Sequence, residues 1–290
     1  MKNEKLEAAR VQIDEIDRQM VALFIRRMNL SDEIADIKQE NNISLINYER
    51  EESVIESAIT ASNPDLKGET ITFMRALMSL SKSRQRKKLY GTAEEYNFPP
   101  SQPGACVQAT VSLYGASGGN GEKAAALLFS DAELSQMETY ESVFSAVKNK
   151  KSGYGVVPLE NALTGGIGEV YDLLRKYGCY IVGQTWVDGT RFIVIGSTPE
   201  YDENSDTVSV IFRTAHRSGA LVDALFPIMS EEVNMKRLES RPTSDGKYCF
   251  FCDLEGNIMD KRIANALKNA AASCGYMEVL GCYRENTIVR

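Results

Sequence analysis

No stretch of this sequence approaches the ~20 consecutive apolar residues of a membrane-spanning helix, so no transmembrane role is expected. The N-terminal stretch MKNEKLEAARVQIDEIDRQ is charged throughout and lacks a signal-peptide core, which points to a cytoplasmic chain. Positive charge is not in excess. The 33 Lys and Arg face 40 Asp and Glu, and a net charge of −7 argues against general binding to nucleic acid or a membrane surface, whose phosphates would be repelled. Six cysteines in 290 residues are no disulfide framework and fit a reduced compartment. Cys249 and Cys252 form a CxxC, but the surrounding KYCFFCDLEG reads as a strand. Residues three apart on a strand face opposite sides, so two buried small residues are expected rather than a redox or metal pair. The single histidine, His216, falls in the turn-like TAHRSGAL and reads as a solvated loop residue. Neither a metal nor a cofactor is expected.

What is present is a core. Hydrophobic residues make up 43% and charged residues 25%, a globular balance, and 290 residues suggest two or three domains. From residue 6 to 37, Leu6, Ala9, Ile13, Ile16, Met20, Leu23, Leu30, Ile34 and Ile37 recur in steps of three and four, which predicts a long helix. Further helices are predicted over about 48–60 and 69–89. Such a long helix with two shorter ones encloses no core alone, so a dimer is expected. Residues 91–107, rich in Pro, Gly and polar residues, read as a linker. After them, VSLYG, SGYGVVPLEN, YIVGQTWV and TRFIVIGS read as strands, with EKAAALLF and EVYDLLRKYG as helices, an α/β module over 108–200. The polar run Asp202–Asp206 precedes a strand–helix–strand–strand–helix–strand order over 207–285, a ferredoxin-like βαββαβ unit.

The gap in the first apolar stripe is filled by Arg27. A charge on such a seam is costly unless paired, and Arg27 alone fits either a snorkelling or ion-paired arginine or a ligand-binding one. Lys38 lies three turns on, on nearly the same face, and Arg10 precedes Arg27 by seventeen residues. Asn47, Glu51 and Gln85 stand on or beside the shorter helices. Three cations with a few hydrogen-bonding groups suit a small dianion.

With this spacing, Arg10, Arg27, Lys38, Glu51 and Gln85 resemble the all-helical chorismate mutase domain over residues 1–90. The resemblance implies an intertwined dimer in which Arg27, and Arg10 of the partner chain, hold the two carboxylates of chorismate. Lys38 and Gln85 would bind the ether oxygen and Glu51 the ring hydroxyl. Asn47 stands where the family often has Asp.

The segments YGASGGNGEKAA, YGVVPLENALTGGIGEVYDLL and GTRFIVIG resemble prephenate dehydratase, and Thr190 matches the threonine acting near the leaving hydroxyl. The family has a second lobe between the strand matching YIVGQ and the TRF motif, whereas here a few residues join them. Gly119, Gly121, Ala162 and Gly166 stand at four positions where the family carries hydroxyls. Finally, RSGALVDAL and RLESRPTSDGKYCFF resemble an ACT regulatory domain, with Ser218 where the family often has Pro. This implies that L-phenylalanine binds through Gly219, Ala220, Leu221, Glu239, Ser240, Arg241 and Pro242, at an interface between two such domains. The whole chain is thus similar to the bifunctional chorismate mutase/prephenate dehydratases, the P-proteins of phenylalanine biosynthesis. The residues predict an enzyme converting chorismate to prephenate under phenylalanine feedback, with a disabled dehydratase lobe. Two alternatives stay open: a fully bifunctional enzyme, and a non-catalytic phenylalanine-sensing subunit.

Overall fold

The computed structural model describes residues 2–91, 96–102, 110–129, 131–243 and 248–284. The chain divides into two compact units, Met1–Ala93 and Glu94–Arg290. Among the described residues, no helix is long and apolar enough to cross a membrane.

The first unit is all-helical. α1 (Lys2–Glu40) has 39 residues, about 58 Å at 1.5 Å per residue. α2 (Tyr48–Ala61) starts at Asn47, whose side-chain oxygen accepts the Arg50 N–H and satisfies one of the first-turn donors. α3 (Lys67–Tyr90) follows a short turn over Pro64–Leu66. Arg27 with Ser81, Asp32 with Arg84 and Asp36 with Lys88 fix α1 and α3 side by side and parallel. Burial on α1 is confined to Ser31 and Ala35, beside this seam. The rest of its apolar stripe, including Leu6, Ile13, Ile16 and Leu23, is exposed.

The second unit stacks two sheets. In the first, β1 (Val111–Tyr114) lies between β2 (Leu134–Met137) and β3 (Tyr154–Asn161), parallel to both. The antiparallel β6 (Thr190–Gly196) then pairs with β3, and β5 (Tyr180–Val187) with β6. The two-residue β4 (Gly165–Gly166) pairs with β3. α4 (Asn120–Leu128), α5 (Tyr140–Lys148) and α6 (Gly168–Tyr177) cover it. β2 and α5 escape the sequence reading because LSQM is short and polar. The Thr139 cap, which accepts the Ser142 N–H, is the sign that marks α5. Asp188 and Gly189, both at positive φ, close β5 and β6 with a two-residue hairpin of the kind Asp-Gly favours.

The second sheet has the expected βαββαβ order. β7 (Thr207–Arg213), α7 (Ala220–Ser230), β8 (Met235–Pro242), β9 (Tyr248–Glu255), α8 (Lys261–Ala271) and β10 (Tyr276–Tyr283) give an antiparallel sheet ordered β10-β7-β9-β8. Its strands bury both faces. Val208, Val210, Phe250, Cys252 and Leu254 pack on α7 and α8, while Ile211, Cys249, Phe251 and Tyr283 join the first sheet and its helices α5 and α6 in one core. Cys249 and Cys252 thus face opposite sides, both buried.

Of the expected linker 91–107, residues 92–95 and 103–107 lie outside the described residues. Residues 96–102 are bound to the second unit. Phe98 packs edge-on against Tyr180 with ring centroids 5.7 Å apart, and Ser101 Oγ accepts the Tyr201 N–H at 2.8 Å.

Arg191, the residue after Thr190 in the TRF motif, is buried and paired inside the second unit. Only 4% exposed, it donates to Asp253 (2.7 Å), Gln184 (2.6 Å) and Tyr283 (2.9 Å). Burial opposes its charge, but Tyr283 and Asp253 outweigh that and hold the guanidinium above its ordinary value. Removing one partner of such a pair strands the other in a dry core. Arg191→Met is expected to destabilise the second unit by ~3–5 kcal/mol, and Asp253→Leu added to it to restore part of the loss. Urea unfolding followed by Trp186 fluorescence checks this, and a cost for Arg191→Met below ~1 kcal/mol would refute it.

Candidate active sites

In the helical unit the three elements converge near residues 27–38, 45–51 and 81–86. Arg27, half-buried, donates Nη1 to the Leu77 carbonyl at 2.8 Å and to Ser81 Oγ. Lys38 Nζ donates to the Leu45 carbonyl at 2.7 Å. Glu51 receives Lys82 on both carboxylate oxygens, each at 3.1 Å, with both side chains less than one-fifth exposed. Burial lowers the affinity of Arg27, Lys38 and Arg86 for their protons, and the Glu51 carboxylate partly offsets this at Lys38 and Arg86. A concentration of half-buried cations around one carboxylate favours an incoming anion.

Gln85 is buried on α3, one turn after Ser81, and its Oε1 has no hydrogen-bond partner among the described residues. A buried amide end without a partner is uncommon in a folded core. Turning the amide over would present Nε2 at the same place as a donor.

Not every expected residue joins this cluster within one chain. Arg10 pairs with Glu7 at 2.7 Å on the exposed part of α1, about 25 Å along the helix from Arg27. Asn47 is exposed and serves as the α2 cap. Ser81, Lys82 and Arg86 were not legible as site residues, although they stand four and three residues before Gln85 and one after it on α3.

In the second unit the motif residues that match prephenate dehydratase are engaged with one another and with the second sheet. Asn161 Nδ2 donates to Thr190 Oγ1 at 2.9 Å. Glu160 is bound by Arg237 Nε at 2.5 Å, and Arg191 by Asp253. Beside them lies a polar cavity of about 320 Å³ lined by residues including Gln184, Trp186, Thr207 and Lys236. Gly119, Gly121 and Gly166 offer no side-chain hydroxyl, and Ala162 is exposed.

The residues expected to bind phenylalanine fall in two places. Gly219, at φ +79°, with Ala220 and Leu221, lines a cavity of about 250 Å³ with His216, Tyr248 and Phe250. His216 is exposed, on the rim of this cavity. Glu239, Ser240, Arg241 and Pro242 lie on β8, outside that lining. Strand alternation separates them further, because Glu239 and Arg241 turn inward while Ser240 and Pro242 are exposed. Among the described residues, no group of His, Cys, Asp and Glu is arranged to hold a metal ion.

Residues 9–86 match the family model of type II chorismate mutase, and residues 111–209 that of prephenate dehydratase. The chain is 32% identical over 187 residues to the bifunctional chorismate mutase/prephenate dehydratase of Buchnera aphidicola, an alignment that covers 63% of this chain and 47% of that protein. The chain thus spans about half the length of this relative. It is 22% identical to the bifunctional chorismate mutase/prephenate dehydratase of Aquifex aeolicus over 376 aligned positions, covering 97% of this chain and 98% of that one. Since this chain has 290 residues, a long part of that alignment faces none of them. Among solved structures, prephenate dehydratase from Streptococcus mutans superposes with a TM-score of 0.55 at 27% identity, over 61% of this chain and 98% of that chain. Residues 9–86 are therefore a type II chorismate mutase domain and residues 111–209 a prephenate dehydratase domain, and the chain as a whole resembles the bifunctional chorismate mutase/prephenate dehydratases.

Proposed function

We propose that the helical unit rearranges chorismate to prephenate, and that it does so as a dimer. The observation that carries this reading is the set of cations in the helical cluster, Lys38, Lys82 and Arg86 about Glu51 and Arg27 beside Ser81, with the unpartnered Oε1 of Gln85 on the same helix as Ser81 and Lys82. The rearrangement is intramolecular and needs no nucleophile and no proton transfer. It needs a flexible dianion held in a compact reactive conformer, and stabilisation of the charge that grows on the ether oxygen. Arg27 binds one carboxylate in this reading. Lys38 and the Gln85 amide donate to the ether oxygen, and Glu51, oriented by Lys82, accepts the ring hydroxyl. The second carboxylate falls to Arg10 of the partner chain. The exposed apolar stripe of α1 supports that arrangement, since contiguous exposed patches of this kind mark interfaces.

In the second unit, the reading is a dehydratase lobe that no longer turns over prephenate, followed by an ACT domain over 207–285 that binds L-phenylalanine and lowers mutase activity. Four hydroxyls are missing, and Glu160, Asn161 and Arg191 are committed to internal contacts. The direct β5–β6 hairpin leaves no insertion from which a second lobe would form. The fully bifunctional reading keeps one support, the retained Thr190, Arg191 and Phe192 in a domain that matches the dehydratase family.

Lys38→Ala is expected to lower kcat by on the order of 10²–10³ with the dimer intact, measured by loss of chorismate absorbance; near wild-type turnover would sink the assignment. Because burial favours the neutral amine, Lys38 loses its proton below the ~10.4 of an ordinary lysine. The alkaline fall of kcat/KM, which reports the free enzyme, is therefore expected below that pH, and Lys38→Arg should move it upward. With prephenate as substrate, phenylpyruvate formation should not exceed the acid-catalysed background, and turnover above it would favour the bifunctional reading.

A further inference from the structure

β8 does more than end a sheet. Its inward side chains, Arg237, Glu239 and Arg241, reach across to the dehydratase lobe. Arg237 binds Glu160 at 2.5 Å and also reaches Glu239 and the Tyr171 hydroxyl. Glu239 Oε2 accepts from that hydroxyl at 3.3 Å. Arg241 Nη1 donates to the Gly166 carbonyl at 3.4 Å. Both guanidinium groups lie over the Tyr171 ring, 5.4 and 5.9 Å from its centroid, a cation–π arrangement. The lobe leaves room for them by having no side chains there. A Cβ on Gly166 would overlap the Glu239 carboxylate, and one on Gly168 the Arg241 guanidinium. The hydroxyl missing at 166 and the docked strand are therefore two sides of one fact, since the lobe cannot carry a serine there while Glu239 lies where it does.

We propose that the lobe face formed by Glu160, Gly166, Gly168 and Tyr171 is a seat for β8 and competes with an amino-acid effector for Glu239 and Arg241. The former dehydratase surface then acts as a latch on the sensor strand, and effector binding requires Glu239 and Arg241 to leave the seat. This rests on the reading of 207–285 as a phenylalanine sensor. The apparent affinity of such a sensor is reduced by the fraction of molecules in the competent, unlatched state, so loosening the latch tightens binding.

The test uses the full chain, L-phenylalanine, calorimetry and the emission of Trp186. This sole tryptophan lines the same cavity as Lys236 and Arg237, so it reports movement of β8. Phenylalanine is expected to shift the wild-type emission. Gly166→Ser places a side chain on the Glu239 carboxylate, and it should show the shifted emission without ligand and bind phenylalanine about tenfold more tightly. Tyr171→Phe removes the hydroxyl without adding bulk and should move both readouts in the same direction by less. It carries the test if circular dichroism shows that Gly166→Ser folds poorly. Equal affinities in all folded variants, with unchanged Trp186 emission, overturn the latch and leave the sensor reading standing. No binding to any of them overturns the sensor reading, and the competition with it.

Discussion

The second unit depends on one buried ion pair, Arg191 with Asp253. Arg191 stands on β6 with its guanidinium directed out of one sheet and into the other, where Asp253 and Tyr283 receive it, while Gln184 of its own sheet accepts from Nε. Ser209 completes the set, donating to Asp253 at 2.5 Å and sharing a hydrogen bond with the Tyr283 hydroxyl at 2.6 Å. A buried guanidinium tolerates only a geometry in which its donors are all met, so this network constrains how the two sheets stack as well as how strongly they adhere. The apolar contacts around it, from Val157, Ile193 and Ile195 on one side and Ile211, Phe251 and Leu280 on the other, supply most of the adhesion but little of the register.

That constraint gives residues shared with a catalytic family a structural role of their own. Arg191 and Glu160 are held by the acid and base that the second sheet brings to them, so each now has a structural reason to stay. The helical unit is built on the opposite principle. Its half-buried cations outnumber the acids that face them, and a buried amide oxygen is left without a partner. The motif residues of the second unit are met by groups of the opposite sheet, whereas the helical unit keeps a surplus of half-buried cations.

Much of this was legible, and what was missed has a common cause. Arg27 stood out because a charge interrupted an apolar period, which is a local signal. The βαββαβ order was equally local, carried by alternating periods and turn residues. Lys82 was hidden because its partner Glu51 lies 31 residues away on another helix. The burial of Arg191 was not legible, because nothing near it in the chain announces Asp253, 62 residues on. Gly166 read as a lost hydroxyl, and only the position of Glu239 shows that the space is occupied. The run from Glu239 to Pro242 read as one binding segment, although a strand necessarily divides such a run between two faces. Sequence patterns reveal which face of an element is unusual, but not what comes to cover it.

The hairpin at Asp188–Gly189 has a consequence for how such a chain can change. Val187 and Thr190 are paired neighbours, so the two strand ends stand about 5 Å apart. A gap that narrow can be bridged by two residues or by a hundred with the same strand register on either side. Such a point is an entry port for whole domains, because material can be added or removed there without disturbing a hydrogen bond of the sheet. The sheet is therefore indifferent to whether it carries a second lobe, and the size of the protein is free to vary at that junction while its core stays fixed.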